Sequence, residues 1–257
     1  MRIIIKAIIF IGVLTASLIA SADLSTNILV PKEESTFAKN YLQKLHDKDF
    51  TYVKSYLDES IKNQATDSQL EKISNYFPQG NLLTTELIGS QVNTVNGSTW
   101  QGNFTFEQHF ESGWGVANVA MQRIDNNKLT VIGFNVYRTK ASQKIINQFS
   151  LIGKTWLHYL ILIGAIAVSI FILITLIAVM KTPIKKRKWL WIIFILGGVG
   201  AVSINWTTGE YTFNVLNYQL FGTGIFAASD YAPWVITTGF PLGAILFWFK
   251  RKSLIAR

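Results

Sequence analysis

Apolar positions along the chain change their period twice before they merge into long uncharged runs. From residue 36 to 61 they recur at helical spacing: Phe37, Ala38, Tyr41, Leu42 and Leu45, then, after a polar break at Asp47, Lys48 and Asp49, Phe50, Val53, Leu57 and Ile61. This predicts two helices, with Asp49 as the N-cap of the second. A third, short helix is expected over residues 68–77, because Ser68 and Glu71 stand at capping-box spacing and Pro78 with Gly80 stops the helix. Beyond Gly80 the period becomes two. Segments 84–94, 99–110, 114–124 and 128–137 are rich in aromatic and β-branched residues. Asn96-Gly97, Ser112-Gly113 and Asp125-Asn126-Asn127 separate them as hairpin turns, which predicts an antiparallel meander of four strands. In the second strand Phe104, Phe106 and Phe110 share one parity, and Thr105, Glu107, His109 and Glu111 share the other. In the fourth, Ile132, Phe134 and Val136 oppose Val131, Gly133, Asn135 and Tyr137, which makes both of its faces partly apolar.

After residue 156 the alternation disappears into apolar runs. Residues 157–180 carry no Asp, Glu, Lys or Arg and are long enough to cross a bilayer of about 30 Å. Two further spans are read at about 189–206 and 231–249, with Trp189, Trp206, Tyr231, Trp234 and Trp248 near their ends as interfacial anchors. Gly197, Gly198, Gly200, Gly239 and Gly243 permit close helix approach, either among these spans or to another membrane subunit, and Pro241 is expected to kink the third. The link 207–230 holds Tyr211, Phe213, Tyr218, Phe221 and Phe226 and is expected as a long loop at the outer membrane surface. At the other end, Arg2 and Lys6 precede an apolar run over 7–19 and Ala20-Ser21-Ala22. This reads as a signal peptide, residues 1–22, cleaved after Ala22; an uncleaved anchor leaves the downstream orientation unchanged. The expected fold class is α+β: N-terminal helices packed on a curved four-stranded antiparallel meander, followed by three transmembrane helices. The domains are 1–22, an extracytoplasmic 23–150 and a membrane part 151–257.

Charge fixes the side of the membrane. The chain has 24 Lys and Arg against 15 Asp and Glu, a net +9, but residues 23–150 hold twelve basic and thirteen acidic residues, a balance of −1. The basic excess therefore lies outside the soluble part and does not make a nucleic-acid surface. Arg2, Lys6, Lys181, Lys185, Lys186, Arg187, Lys188, Lys250, Arg251, Lys252 and Arg257 all flank one end of an apolar segment; Lys154 alone does not. By the positive-inside rule these flanks stay in the cytoplasm. The chain is expected in a bacterial cytoplasmic (inner) membrane, its soluble domain periplasmic and its C-terminus cytoplasmic, with the lipid bilayer as its first partner. The absence of cysteine excludes disulfides and thiolate chemistry, and His46, His109 and His158 are too scattered for a metal-ligand spacing. No metal or cofactor is expected.

Helices broken at His46-Asp47-Lys48-Asp49-Phe50, followed by the meander, resemble the nuclear-transport-factor-2-like, cone-shaped α+β superfold over residues 36–138. Asp230-Tyr231-Ala232-Pro233-Trp234 and Phe240-Pro241-Leu242-Gly243 look like segments of bacterial membrane proteins to which no activity is attached. The superfold resemblance implies a cone that holds isomerase or dehydratase sites, small ligands or partner proteins, and it does not choose among them.

The chemistry legible in the residues is sparse. Glu107, His109 and Glu111 project from one strand face, where carboxylates flanking an imidazole would tune a general base of an isomerase- or hydrolase-type enzyme. The plainer reading of the three is a polar, solvated strand face. His46, Asp47 and Asp49 read as caps and turn residues, and Tyr52, Tyr56 and Tyr76 as core aromatics rather than pocket lining. No Ser-His-Asp order and no phosphate-cradling glycine loop is present, and the spans lack the buried charges that mark ion pathways. The chain is therefore expected to be more a binding module than an enzyme. Trp100, Trp114, Phe104, Phe106 and Tyr137 are its candidate contacts for a membrane-protein partner, a second copy or a small apolar ligand.

Overall fold

The computed structural model describes residues 30–96, 98–124, 128–184 and 187–255. The signal segment and the 125–127 turn lie outside them. The chain divides into two compact units at Ile146/Asn147.

In the first unit, α1 (Lys32–His46) buries Ala38, Tyr41, Leu42 and Leu45, the predicted stripe. Its Glu33 and Glu34 lie in the first turn, and Lys44 and His46 in the last, as the helix dipole favours. Lys48 takes a left-handed conformation (φ 59°), and Asp49 then caps α2 (Phe50–Ser55) by accepting the Tyr52 N–H at 3.1 Å. The helix expected to run on to Ile61 stops early. Buried Leu57 forms a parallel bridge to Val131: Val131 N–H donates to Tyr56 O at 2.7 Å and Asp58 N–H to Val131 O at 2.9 Å. Those carbonyl and amide groups go to the sheet instead of a helical turn, and Asp58 restarts the chain as the N-cap of α3 (Glu59–Lys62).

The fourth helix, α4 (Asp67–Ser74), is capped earlier than its sequence reads. Thr66 and Gln69 make the capping box, with Gln69 N–H donating to Thr66 Oγ1 at 3.3 Å and Thr66 N–H to Gln69 Oε1 at 3.2 Å. Ser68 and Glu71 fall inside the helix, since a Gln serves the reciprocal bond as well as a Glu. The helix also ends three residues short of Phe77, where the Arg138 guanidinium takes the carbonyls of Asn75, Tyr76 and Phe77.

The meander forms as expected: β1 (Leu82–Val95), β2 (Thr99–Phe110), β3 (Gly113–Ile124) and β4 (Thr130–Thr139) pair antiparallel in that order. Bulges at Leu87/Gly89 in β1 and at Ala120/Met121 against β4 bend the sheet. Its inner face, Phe104, Phe106, Phe110, Ala117, Val119, Met121 and Val136, packs on Tyr41, Leu42, Leu45, Val53 and Leu70 in one core. A short helix, α5 (Gln143–Ile146), closes the unit. The first unit is thus α+β, built on a four-stranded antiparallel sheet.

The second unit corrects the expectation of three transmembrane helices. One helix among the described residues, α6 (Trp156–Lys181), is long and apolar enough to cross a membrane. The second predicted span is α7 (Lys188–Leu196) running directly into β5 (Gly197–Asn205), and the third is β8 (Val235–Phe240) followed by α8 (Leu242–Leu254). Pro241 is not a kink inside a helix. It is the N-cap at which strand becomes helix. The expected loop 207–230 holds two more strands, β6 (Tyr211–Leu220) and β7 (Thr223–Phe226), in a sheet of order β6-β5-β8-β7. The physical reason lies in the residues: Gly197, Gly198 and Gly200 are poor in helices, while Val202, Ile204, Ile236, Thr237 and Thr238 are β-branched and fit a pleat.

Two clusters hold this unit together. Ile204, Trp206 and Ile236 of the sheet side pack on Ile161 and Ala165 of α6. Ile195 of α7, with Ala244 and Phe247 of α8, packs on Ile172 and Val179. Gly243 lets α8 approach so closely that a Cβ there would collide with the Phe194 carbonyl. An antiparallel bridge pairs Ile184, just after α6, with Ile255, just after α8.

Candidate functional site

The outer face of the first sheet carries the predicted polar constellation. Cross-strand partners share a face, and the register His109↔Trp114, Glu107↔Val116 and Val116↔Tyr137 sets these residues side by side on β2, β3 and β4. The His109 imidazole stacks on the Trp114 indole, with ring centroids 4.0 Å apart and planes within 7°. Tyr137 is 46% exposed, whereas Val116 and Glu107 beside it are buried.

Glu107 and Glu111 do not converge on the imidazole. Glu107 Oε1 accepts the Gln143 N–H at 2.5 Å, so the chain beyond β4 turns back over the sheet onto this carboxylate. Glu111 reaches the start of β1, accepting from Asn81 N–H and Nδ2 at 3.0 Å each. Those two bonds, the backbone one first, hold its carboxyl below the usual carboxylate range. Partial burial pushes the Tyr137 phenol up. Each carboxylate is thus committed to a backbone amide that fixes a loop, and the aromatic pair is what the face presents outward.

The five candidate contact residues separate across the sheet. Phe104 and Phe106 are buried at 0% and 3% exposure and belong to the core. Trp100 lies on their side, 6.5 Å from the Phe104 ring, and its outer surface is taken by Arg123, whose guanidinium lies 5.7 Å from the ring and pairs with Glu34 at 3.0 Å. Trp114 and Tyr137 are on the opposite face. The space between the helices and the inner face of the sheet is occupied by Tyr41, Leu42, Leu45, Phe104, Phe110 and Met121, all fully buried. His46 is the last residue of α1, with Asp47 as the C-cap, and it packs against Phe77 and Phe110, edge-on to the first, its Nδ1 3.1 Å from Asp47 Oδ1. Tyr52 and Tyr56 pack against the core, whereas Tyr76 is exposed.

A second constellation is not readable from the periodicity. Trp206, 1% exposed, stacks on Phe149 at 5.1 Å, donates from Nε1 to Ser150 O at 2.8 Å, and meets the His158 ring edge-on at 5.2 Å. Lys154 donates to the Trp206 carbonyl and lies 5.8 Å from the indole centroid. Lys154 is the one basic residue that breaks the charge pattern, and that exception is the available signal. Its charge is spent on ordering the start of α6.

No group of three His, Asp or Glu side chains able to hold a metal ion occurs among the described residues. Comparison of the chain with protein-family models, with curated proteins and with solved structures finds no match.

Proposed function

We propose that the chain is a membrane-anchored binding module, a subunit or accessory protein of a cell-envelope assembly. Its α+β domain stands on the extracytoplasmic side and its C-terminus in the cytoplasm. The observation that carries the membrane part is the surface of α6 and its neighbours. Ile163, Ile166, Ile170, Ile174 and Met180 of α6 are 50–64% exposed, and between residues 189 and 249 the only charged side chains are Glu210 and Asp230. Glu210 and Asp230 lie in the links beyond β5 and before β8, whose Ile204 and Ile236 pack on Ile161 near the start of α6. Lys181 ends α6, and Lys250, Arg251 and Lys252 lie in the last turns of α8, which the Ile184–Ile255 bridge ties to the chain after α6. An apolar band between two charged rims is what a bilayer requires.

The binding part rests on the outer face of the first sheet. Trp114 stacked on His109, with Tyr137 two strand positions away, is a rigid amphipathic patch of the kind that anchors protein contacts. The isomerase- or hydrolase-type alternative would draw on His109 with Glu107 or Glu111, whose carboxylates are engaged with Gln143 and Asn81. It has no observation in its favour beyond the shared face. The nuclear-transport-factor-2-like resemblance is compatible with the element order and adds no ligand.

The test uses the full chain in its membrane. Carbonate washing should leave it in the pellet, and a C-terminal reporter active only in the cytoplasm should report. A soluble chain after washing, or a reporter active only outside, sinks the reading. Photocrosslinking from Tyr137 should capture a partner in intact cells, and Trp114→Ala should reduce that capture at least several-fold.

A further inference from the structure

The sheet of the second unit meets a difficulty at the depth where the membrane-anchored reading places it. Its strands and the turn at Gly222 run beside α6 from Ile161 to Ile172. Ile204 and Ile236 pack on Ile161 and Ala165, the Thr223 hydroxyl lies 2.7 Å from that of Ser169, and a Cβ on Gly222 would touch Val168 and Ile172. Since about 20 residues of such a helix cross the hydrocarbon, this sheet lies within the apolar layer, from its outer rim to about its middle. Two of its features are foreign to lipid. Among the described residues the strands β6 and β7 are its edges, and open sheet edges are not found facing hydrocarbon. The face turned away from α6 also carries a polar row, next to the row of Asn205, Val235 and Phe226. The rows through Ile204 and Val202 face the helix, whereas the row between them, Thr212, Ser203, Thr237 and Gly224, faces away, with Asn214 on the same side. The Ser203 and Thr237 hydroxyls meet there at 2.8 Å.

Resting on that membrane reading, we propose that the second unit assembles with further copies of itself into a closed ring: β6 of one copy pairs with β7 of the next, α6 faces lipid, and the Ser203, Thr212, Asn214 and Thr237 face turns inward. Strand direction selects a second copy as the occupant. Copies inserted in the same sense are related by rotation about the bilayer normal, which preserves the direction of each strand. A β6 strand set against its own image would be parallel with identical residues level, whereas a parallel ladder needs a stagger. Strands β6 and β7 run in opposite directions, because each neighbouring pair in β6-β5-β8-β7 is antiparallel. They are also level: Tyr211 and Ile225 align with the same Ile204–Ile236 pair, and Phe213 and Thr223 with Val202–Thr238. The joint therefore matches the whole of β7 to the start of β6. It is heterologous and closes by rotation, with an even number of strands, the hydroxyl row of Ser203, Thr212 and Thr237 turned inward and an apolar exterior, as in membrane barrels.

The chain has no cysteine, so single cysteines report cleanly. Full-length Tyr211→Cys and Ile225→Cys, carrying different tags and expressed together, are oxidised in native membranes. The expected result is a crosslinked species containing both tags, at least tenfold more abundant than any dimer from either variant alone. Equal crosslinking by Tyr211→Cys alone, or none while the chain resists carbonate washing, overturns the ring and leaves the membrane reading standing. Release of the chain by carbonate overturns both. The unaltered chain, extracted in mild detergent, should have a mass that is a multiple of the monomer; a monomer alone overturns the ring even if the variants misfold.

Discussion

Asp58 joins three elements of the first unit: its carboxylate caps α3 through Ser60 and accepts from Gln122 of β3 at 2.8 Å and Thr130 of β4 at 3.2 Å. The Ser60 hydroxyl bond, then the Ser60 backbone bond, with smaller help from Gln122 and Thr130, hold its pKa down to about 2. A depressed carboxylate contributes stability that is whole above the ordinary value of 3.8 and is lost as pH falls toward about 2. Asp58→Asn should therefore flatten the acid limb of stability in that window, read as the denaturation midpoint against pH. Asp58→Ala should cost about 1 kcal/mol near neutrality through the lost cap. Phe104 and Trp114 make the opposite pair. Phe104→Ala empties a fully buried site and should destabilise by about 3–5 kcal/mol in chemical denaturation. Trp114→Ala, on the half-buried outer face, should leave most of the stability and remove partner capture. Parity along β2 makes the Phe104 side readable in advance. It does not reveal that Glu107 and Glu111 are claimed by amides 36 and 30 positions away, because a loop's return path leaves no periodic trace.

At the scale of elements, the meander is legible because alternation and turn residues agree in each hairpin, and the core of α1 because its stripe is amphipathic. The short helices are less so. Thr66 is recognisable as a cap only once Gln69 is admitted as its reciprocal partner, and the break at Leu57 depends on Val131, far along the chain. The helix-to-strand switches in the second unit escape a periodic reading because a run apolar on every side has no period. Their signal is composition, glycines followed by β-branched residues. Those glycines are also where backbones meet: a Cβ at Gly239 would lie 2.5 Å from the Gly200 carbonyl, and one at Gly198 would lie 2.5 Å from the Gly222 Cα. Gly239→Ala should cost about 1–3 kcal/mol by overpacking, seen as a lower melting temperature of the detergent-solubilised chain. An unchanged melting temperature would mean that the backbones at Gly200, Gly222 and Gly239 do not approach so closely there.

For the whole molecule, the two units differ in what their surfaces carry. The first has near-balanced charge and an ordinary core; the second has apolar side chains outward along α6 and β6, with Leu216 99% exposed. If the basic flanks set the orientation, replacing Lys181, Lys185, Lys186, Arg187 and Lys188 by Gln should leave a substantial fraction of chains inverted. Added protease would then fail to reach the first unit from the extracytoplasmic side in those chains. Unchanged accessibility would show that another segment decides the topology. What the sequence by itself determined is where charge can sit and which faces must be dry, since burial and ionisation energies belong to single side chains and are read residue by residue. Only the tertiary structure decided that two of three apolar runs are half strand, that Trp100 and Trp114 look in opposite directions, and that β6 and β7 form the edges of the second sheet among the described residues. Those outcomes depend on which backbone groups find each other across the chain, and hydrogen-bond pairing at long range is a property of the fold that no local pattern encodes.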